Sequence, residues 1–317
     1  MPLDPQAREF LEALLAANVP PVFLLTPEQA RQRMLLLSNF GPQPELDEVR
    51  NLTIDGPAGS GPLGIRVYRP FGFRHLPAVV YCHGGGWVTG SVETHDGLCR
   101  WLASSLERVI VSVDYRLAPE HKYPTPLDDV QAALQWTVRN FEDLGSAPGP
   151  VVIAGDSAGG NLAAALALRD RDRIRSGAAE RKIGLQILLY PVLDHELSTA
   201  SMREYAEGYL LTRDAMACFW RHYLPDAATG TQPEASPLKC PDLTDVAPAV
   251  LLTAGFDPLR DEGAAYAARL EAAGVRVRLL DYPDQIHDFL RRTHLFDQAR
   301  AAFADIRDAV ADIAPHA

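Results

Sequence analysis

The stretch Val151-Val-Ile-Ala-Gly155-Asp156-Ser157-Ala158-Gly159-Gly160-Asn161-Leu162-Ala163-Ala164 decides how the rest of this 317-residue chain is read. Val151, Val152, Ile153 and Ala154 form an apolar, mostly β-branched run that suits a strand buried on both faces. The Ala- and Leu-rich run from Ala158 suits a helix. Between them lies a Gly-x-Ser-x-Gly pentapeptide. In a strand–turn–helix context this motif lifts the serine hydroxyl to the top of a sheet, with a helix N-terminus beneath it that favours negative charge. The glycines are needed because bulkier neighbours would collide with the strand and helix on either side. Ser157 is therefore the candidate nucleophile.

Outward from this motif the chain alternates short β-branched runs with longer helical patterns. Strand candidates are Val49–Asp55, Gly64–Arg69, Ala78–His83, Val109–Asp114, Val151–Ala154, Leu185–Tyr190, Val250–Thr253 and Val275–Asp281; helix candidates are Gly97–Leu106, Leu127–Phe141, Ala158–Arg169, Gly263–Ala273 and Phe296–Ile313. Near-continuous apolar strands between helices predict an α/β, doubly wound, mostly parallel sheet. The first two strands alternate polar and apolar residues with no helix between them, which predicts an antiparallel edge hairpin. Two stretches break the rhythm. Residues 1–45 read as two helices, the first with an apolar stripe of Phe10, Leu11, Leu14 and Leu15, the second opened by the capping box Thr26-Pro27-Glu28-Gln29. Residues 194–225 carry aromatic residues at helical spacing, among them Tyr205, Tyr209, Phe219, Trp220 and Tyr223. Together 1–45 and 194–225 predict a helical cap over a catalytic domain of 46–193 and 226–317, because ligand sites lie outside the carboxyl ends of such strands.

A second motif closes the third strand candidate: His83-Gly84-Gly85-Gly86-Trp87. Bare backbone N–H groups at glycines can approach an anionic oxygen, as acyl transfer requires for its tetrahedral intermediate. The expected donors are the N–H groups of Gly84, Gly85 and Ala158. A phosphate loop is disfavoured, because no Walker lysine follows and the G-x-G-x-x-G spacing is absent. Asp257 and His287 each lie just past a later strand candidate, so three distant segments converge on one rim in the chain order Ser157, Asp257, His287. Taken singly, Asp257 also reads as a helix cap and His287 as a loop histidine. Rival acids fit less well. Asp156 adjoins the serine, Asp284 and Asp288 flank His287, and Asp261 and Glu262 belong in the first turn of a helix, where acidic side chains complement the dipole.

Composition narrows the function classes. With 30 Lys and Arg against 41 Asp and Glu, the net charge is −11, which repels phosphate backbones and anionic lipid. No apolar run is long enough for a bilayer, and the N-terminus lacks a basic stretch followed by an apolar one. Cys82, Cys99, Cys218 and Cys240 are scattered, without ligand spacing, and predict reduced thiols in a cytoplasmic protein. His195-Glu196 does not continue to H-E-x-x-H, so no metal is expected.

His83-Gly-Gly-Gly-Trp87, Asp114-Tyr-Arg-Leu-Ala-Pro-Glu120, Gly155-Asp-Ser-Ala-Gly-Gly160, Asp257-Pro-Leu-Arg-Asp-Glu-Gly263 and the His287 segment together resemble the hormone-sensitive lipase family of α/β-hydrolases, in its bacterial esterase branch and the subgroup with Asp before the nucleophile. The resemblance implies an eight-stranded sheet, a cap built from the N-terminus and a later insertion, and cofactor-free hydrolysis of short-chain esters through Ser157, His287 and Asp257. It also implies frequent dimerisation through the last strand, with Val275–Leu280 as the candidate edge. Two positions depart from the family pattern: Asp288 stands where glycine usually follows the histidine, and Gly255-Phe256 precedes the acid. Trp87, Tyr190, Tyr209 and Ile286 are expected as pocket walls, with core packing as their alternative. The expected function is a serine carboxylesterase for short- to medium-chain esters of small molecules. Two alternatives stay open: a non-catalytic ligand binder on the same scaffold, and hydrolysis of an amide, lactone or carbamate.

Overall fold

A computed structural model describes residues 1–38, 41–178 and 180–313. The predicted segments 1–45, 46–193 and 226–317 are therefore described apart from 39–40, 179 and 314–317, which lie outside the described residues.

The apolar runs form one eight-stranded sheet. Its strands are β1 (Glu48–Asp55), β2 (Pro62–Arg69), β3 (Val79–Cys82), β4 (Ile110–Asp114), β5 (Val151–Asp156), β6 (Ile183–Leu189), β7 (Ala249–Phe256) and β8 (Val277–Ile286), in the spatial order β1-β2-β4-β3-β5-β6-β7-β8. The β1–β2 hairpin is antiparallel, as its alternation predicts, and β2 also pairs antiparallel with β4; every later pairing is parallel. All four residues of β3 and all six of β5 are buried, the signature of strands covered on both faces. Two helices, α1 (Pro5–Ala16) and α2 (Pro27–Leu36), precede the sheet. They are followed by α3 (Asp96–Leu106), α4 (Thr125–Thr137), α5 (Phe141–Leu144), α6 (Ala158–Arg175), α7 (Ala200–Glu204), α8 (Arg213–Tyr223), α9 (Arg260–Ala272) and α10 (Asp297–Ile313). The core is two layers, one on each side of the sheet, the second of them including α3 and α10. Among the described residues, no helix is long and apolar enough to cross a membrane.

The capping box forms as read: Thr26 Oγ1 accepts from Gln29 N (3.2 Å) and Gln29 Oε1 accepts from Thr26 N (3.0 Å), with Pro27 in the first turn. The predicted apolar stripe of α1 is only partly right. Ala7 is buried and Phe10, Leu11 and Leu14 are half-buried, but Leu15 is 82% exposed. The buried face of α1 is narrow because one turn of small and aromatic residues meets the second core layer while the other end runs into solvent.

Candidate active site

The site begins with backbone that only glycine permits. A Cβ on Gly155 would collide with the carbonyl of Gly159, and one on Gly159 with the carbonyl of Cys82, so α6 starts in backbone contact with the strand ends. That close approach forces Ser157 into a left-handed conformation, φ 53° and ψ −118°. For a non-glycine residue this costs about 1–3 kcal/mol, which the surrounding packing must overcome. Trp87, Tyr190 and Asp288 also have positive φ, at 59°, 37° and 65°, so strained backbone surrounds the same point.

Ser157 Oγ lies 3.0 Å from His287 Nε2, and His287 Nδ1 lies 2.7 Å from Asp257 Oδ2. All three residues are buried, at 9, 5 and 0% exposure. Water is thereby kept from an array of charge-assisted bonds that would be weak if solvated. Burial, the largest single influence, would lower the pKa of His287, but the charge and hydrogen bond of Asp257, with the charges of Asp288 and Asp156 behind it, together outweigh it, and the net shift is upward. The two readings of Asp257 turn out to coexist: Oδ2 faces the histidine while Oδ1 accepts from Leu259 N (2.8 Å) ahead of α9. The rival acids are engaged elsewhere. Asp284 accepts from Gln298 (2.8 Å), Asp261 from Ser201 N (2.7 Å), and Glu262 from Leu193 N (2.7 Å).

Asp156 has a task of its own. Its carboxylate accepts from Tyr81 Oη (2.5 Å) and from Gly84 N (2.8 Å) and lies 3.3 Å from His95 Nε2. Burial would raise its pKa, but the His95 charge and the hydrogen bonds from His95 and Tyr81 outweigh this and hold it below the usual carboxylate range. This corrects one predicted donor. The N–H of Gly84 is consumed by Asp156 and cannot meet a substrate oxygen. The Gly85 and Gly86 backbones line the cavity beside Ser157 instead, and their N–H groups have no protein acceptor among the described residues. Ala158 opens α6, where a first-turn N–H has no intrahelical acceptor. Gly86 and the buttress of Asp156 and His95 were missed in the sequence. The third glycine was visible there; the long-range contact from Asp156 to Gly84 was not. His83 is no base: burial, then the neighbouring His95, push its pKa down to about 3, and its ring stacks on Tyr115 at 4.1 Å.

A cavity of about 210 Å³ opens beside Ser157 and His287, walled by Met34, Leu37, Leu210, Met216 and Phe219. These come from α2, α8 and the chain just before and after them, so both predicted cap segments reach the site. The four expected pocket walls do not line it. Trp87 is fully buried, stacked on Tyr223 at 4.1 Å, and Ile286 is core. Tyr190 backs the His287 ring edge-on at 4.9 Å. Tyr209 packs against Tyr205 and Phe256, at 5.2 and 5.3 Å. These four fill space beneath and beside the site, and Phe219 is the aromatic that faces the cavity, among Met and Leu side chains.

The two departures from the family pattern have local causes. At Asp288, φ is 65°, a conformation glycine adopts freely and Asp tolerates. Its carboxylate is held by Arg291 Nη1 (3.0 Å) and Arg292 Nη1 (2.8 Å). At Gly255 a Cβ would collide with the Pro283 carbonyl across the irregular end of the β7–β8 pairing.

Comparison with known proteins gives a consistent picture. Residues 79–291 match the model of a family described as having the alpha/beta hydrolase fold. The chain is 40% identical over 290 residues to the carboxylic ester hydrolase LipN of Mycobacterium tuberculosis, covering 91% of this chain and 75% of that protein. It is 36% identical over 292 residues to an arylesterase of Saccharolobus solfataricus, covering 92% and 93%. Among solved structures, the hyperthermophilic esterase of Pyrobaculum calidifontis superposes with a TM-score of 0.91 at 41% identity, covering 99% of both chains.

Proposed function

The chain belongs to the hormone-sensitive-lipase-like esterases of the α/β-hydrolase fold and is a carboxylic ester hydrolase; on that premise we propose that it is a serine carboxylesterase acting through Ser157, His287 and Asp257 on short- to medium-chain esters. The observation that carries this reading is the unbroken hydrogen-bonded series from Ser157 Oγ through both nitrogens of His287 to Asp257 Oδ2.

In this mechanism His287 Nε2 takes the Ser157 proton as Oγ attacks the ester carbonyl. The carbonyl oxygen becomes an oxyanion and is met by the N–H groups of Gly85, Gly86 and Ala158. Asp257 keeps the Nδ1 proton in place and stabilises the imidazolium. Collapse of the tetrahedral intermediate breaks the bond to the alcohol, which leaves with the proton from Nε2. A water then repeats the sequence on the acyl-enzyme, releasing the acid and restoring Ser157. A cavity of about 210 Å³, with a neighbour of about 440 Å³ on the other side of Val22, Leu37 and Leu210, supports a short- to medium-chain preference. The cap reading of 1–45 and 194–225 is supported by their contribution of the apolar walls.

The compartment this reading carries is the cytoplasm, since Cys82, Cys99, Cys218 and Cys240 are all unpaired thiols. A second copy would pair along β8, which is the sheet edge and carries half-exposed Leu279.

Hydrolysis of p-nitrophenyl esters from acetate to laurate tests the proposal directly. Turnover should peak among the shorter chains, and Ser157→Ala should lose on the order of 10⁶ in kcat. Turnover by the folded alanine variant within tenfold of the parent would overturn the assignment of the nucleophile.

A further inference from the structure

Three cations stand on the wall of the cavity beside Ser157: Arg33 from α2, and Arg291 and Arg292 from the chain after β8. Two carboxylates share that wall. Asp156 turns its oxygens to Tyr81, Gly84 and His95, and Asp288 is divided between Arg291 and Arg292. Arg291 is 10% exposed, and its Nη2 donates to Ser38 Oγ (2.9 Å) and Thr94 O (3.2 Å). Its Nε is buried with no acceptor among the described residues.

Arg33 differs from both. Its guanidinium donates to the Pro20 carbonyl, and among the described residues no carboxylate comes within 4 Å of it. Burial lowers its pKa, and among the described residues no neighbouring anion offsets the effect. It also lines the adjoining cavity of about 440 Å³, whose walls are apolar apart from Arg33, Thr212 and Glu12, so it stands where the two spaces meet. A half-buried guanidinium whose remaining donors the protein does not take gains charge-assisted bonds when an anion reaches it. Three arginines against two aspartates leave this wall one positive charge in excess, in a chain whose net charge is −11.

We propose that Arg33 receives a carboxylate of the substrate, so that the preferred esters carry a second, negatively charged end. The guanidinium fork suits a carboxylate bidentately, and because Ser157 and Arg33 line the same cavity, one extended molecule reaches Ser157 with its ester and Arg33 with its anion. The inference rests on the esterase reading of Ser157.

The test uses two pairs of esters that differ only in a terminal methyl or carboxylate. p-Nitrophenyl hexanoate against the p-nitrophenyl monoester of adipic acid puts the charge on the acyl side. Hexyl acetate against the acetate ester of 6-hydroxyhexanoic acid puts it on the alcohol side. In at least one pair the ratio of kcat/KM, charged over neutral, should fall about tenfold in Arg33→Gln, which keeps a donor for Pro20 O. Arg33→Lys should retain part of the preference, and added salt should erode it in the parent enzyme. A ratio unchanged by Arg33→Gln in both pairs overturns the assignment while leaving the esterase intact. Absence of all turnover, neutral esters included, defeats the esterase reading itself.

Discussion

At the strand ends Ser157, His287 and Asp257 are 9, 5 and 0% exposed and bonded to one another, whereas in the N-terminal helices Leu15 and Leu36 are 82 and 76% exposed and each helix fully buries one alanine, Ala7 or Ala30. The difference follows from what each region must do. Proton transfer needs groups preorganised in a dry setting, which strand ends and a helix start supply because their backbones are already tied into the sheet. The helices above need only shape a space, and they are tied down by a few polar contacts. Arg31 is the main one found, donating to Val88 O and Ala118 O (both 2.8 Å) and pairing with Glu120. Chemistry is thus invested in the rigid layer and substrate choice in the loosely held one.

Asp257→Asn attacks the rigid layer at its deepest point. It should cost about 10⁴ in kcat with the fold retained, measured on p-nitrophenyl butyrate. The same variant tests the electrostatics. The neutral imidazole is the base, so activity falls as pH drops through the raised pKa of His287, and the acid limb of kcat/KM should lie above the ordinary histidine value of about 6.5. Without the Asp257 charge the limb should move to lower pH; a limb that stays put would break the coupling.

Leu102, fully buried in α3, sharpens the contrast in stability: Leu102→Ala should cost about 2–5 kcal/mol by denaturant titration. Asp156→Asn weakens the anchor of Gly84. It should lower kcat about 10- to 100-fold while KM moves less than about twofold. An equal loss through KM alone would mean that Asp156 shapes the pocket and not the oxyanion loop. The smallest effect belongs to the cap surface, where Leu15→Ala should change stability by less than about 0.5 kcal/mol. A large loss there would mean that the exposed leucines are covered in solution.

Much of the rigid layer was legible in the chain itself. Six strands appeared as apolar runs and the first two as alternating ones, the last ending five residues beyond its predicted limit at Ile286, and the four motifs that meet at the rim were each local. The capping box of Thr26 and Gln29 was equally plain, since it needs only four consecutive residues. What escaped notice was long-range. Gly84 lies 72 residues from Asp156, whose carboxylate removes its N–H from the candidate oxyanion hole. Trp87 looked like a pocket wall until Tyr223 was found stacked on it.

By itself, then, the order of residues determined the alternation of strands and helices, the strained turn at Ser157 and the three residues that converge with it. Those depend on propensity, on glycine's freedom and on period, which act between near neighbours. Only the tertiary structure decided which glycine N–H groups are left without a protein acceptor, which side chains wall the cavity, and that Arg33 stands there with no carboxylate beside it among the described residues. Each of those depends on which groups from distant segments occupy one another's hydrogen bonds and volume, and a linear pattern does not carry that information.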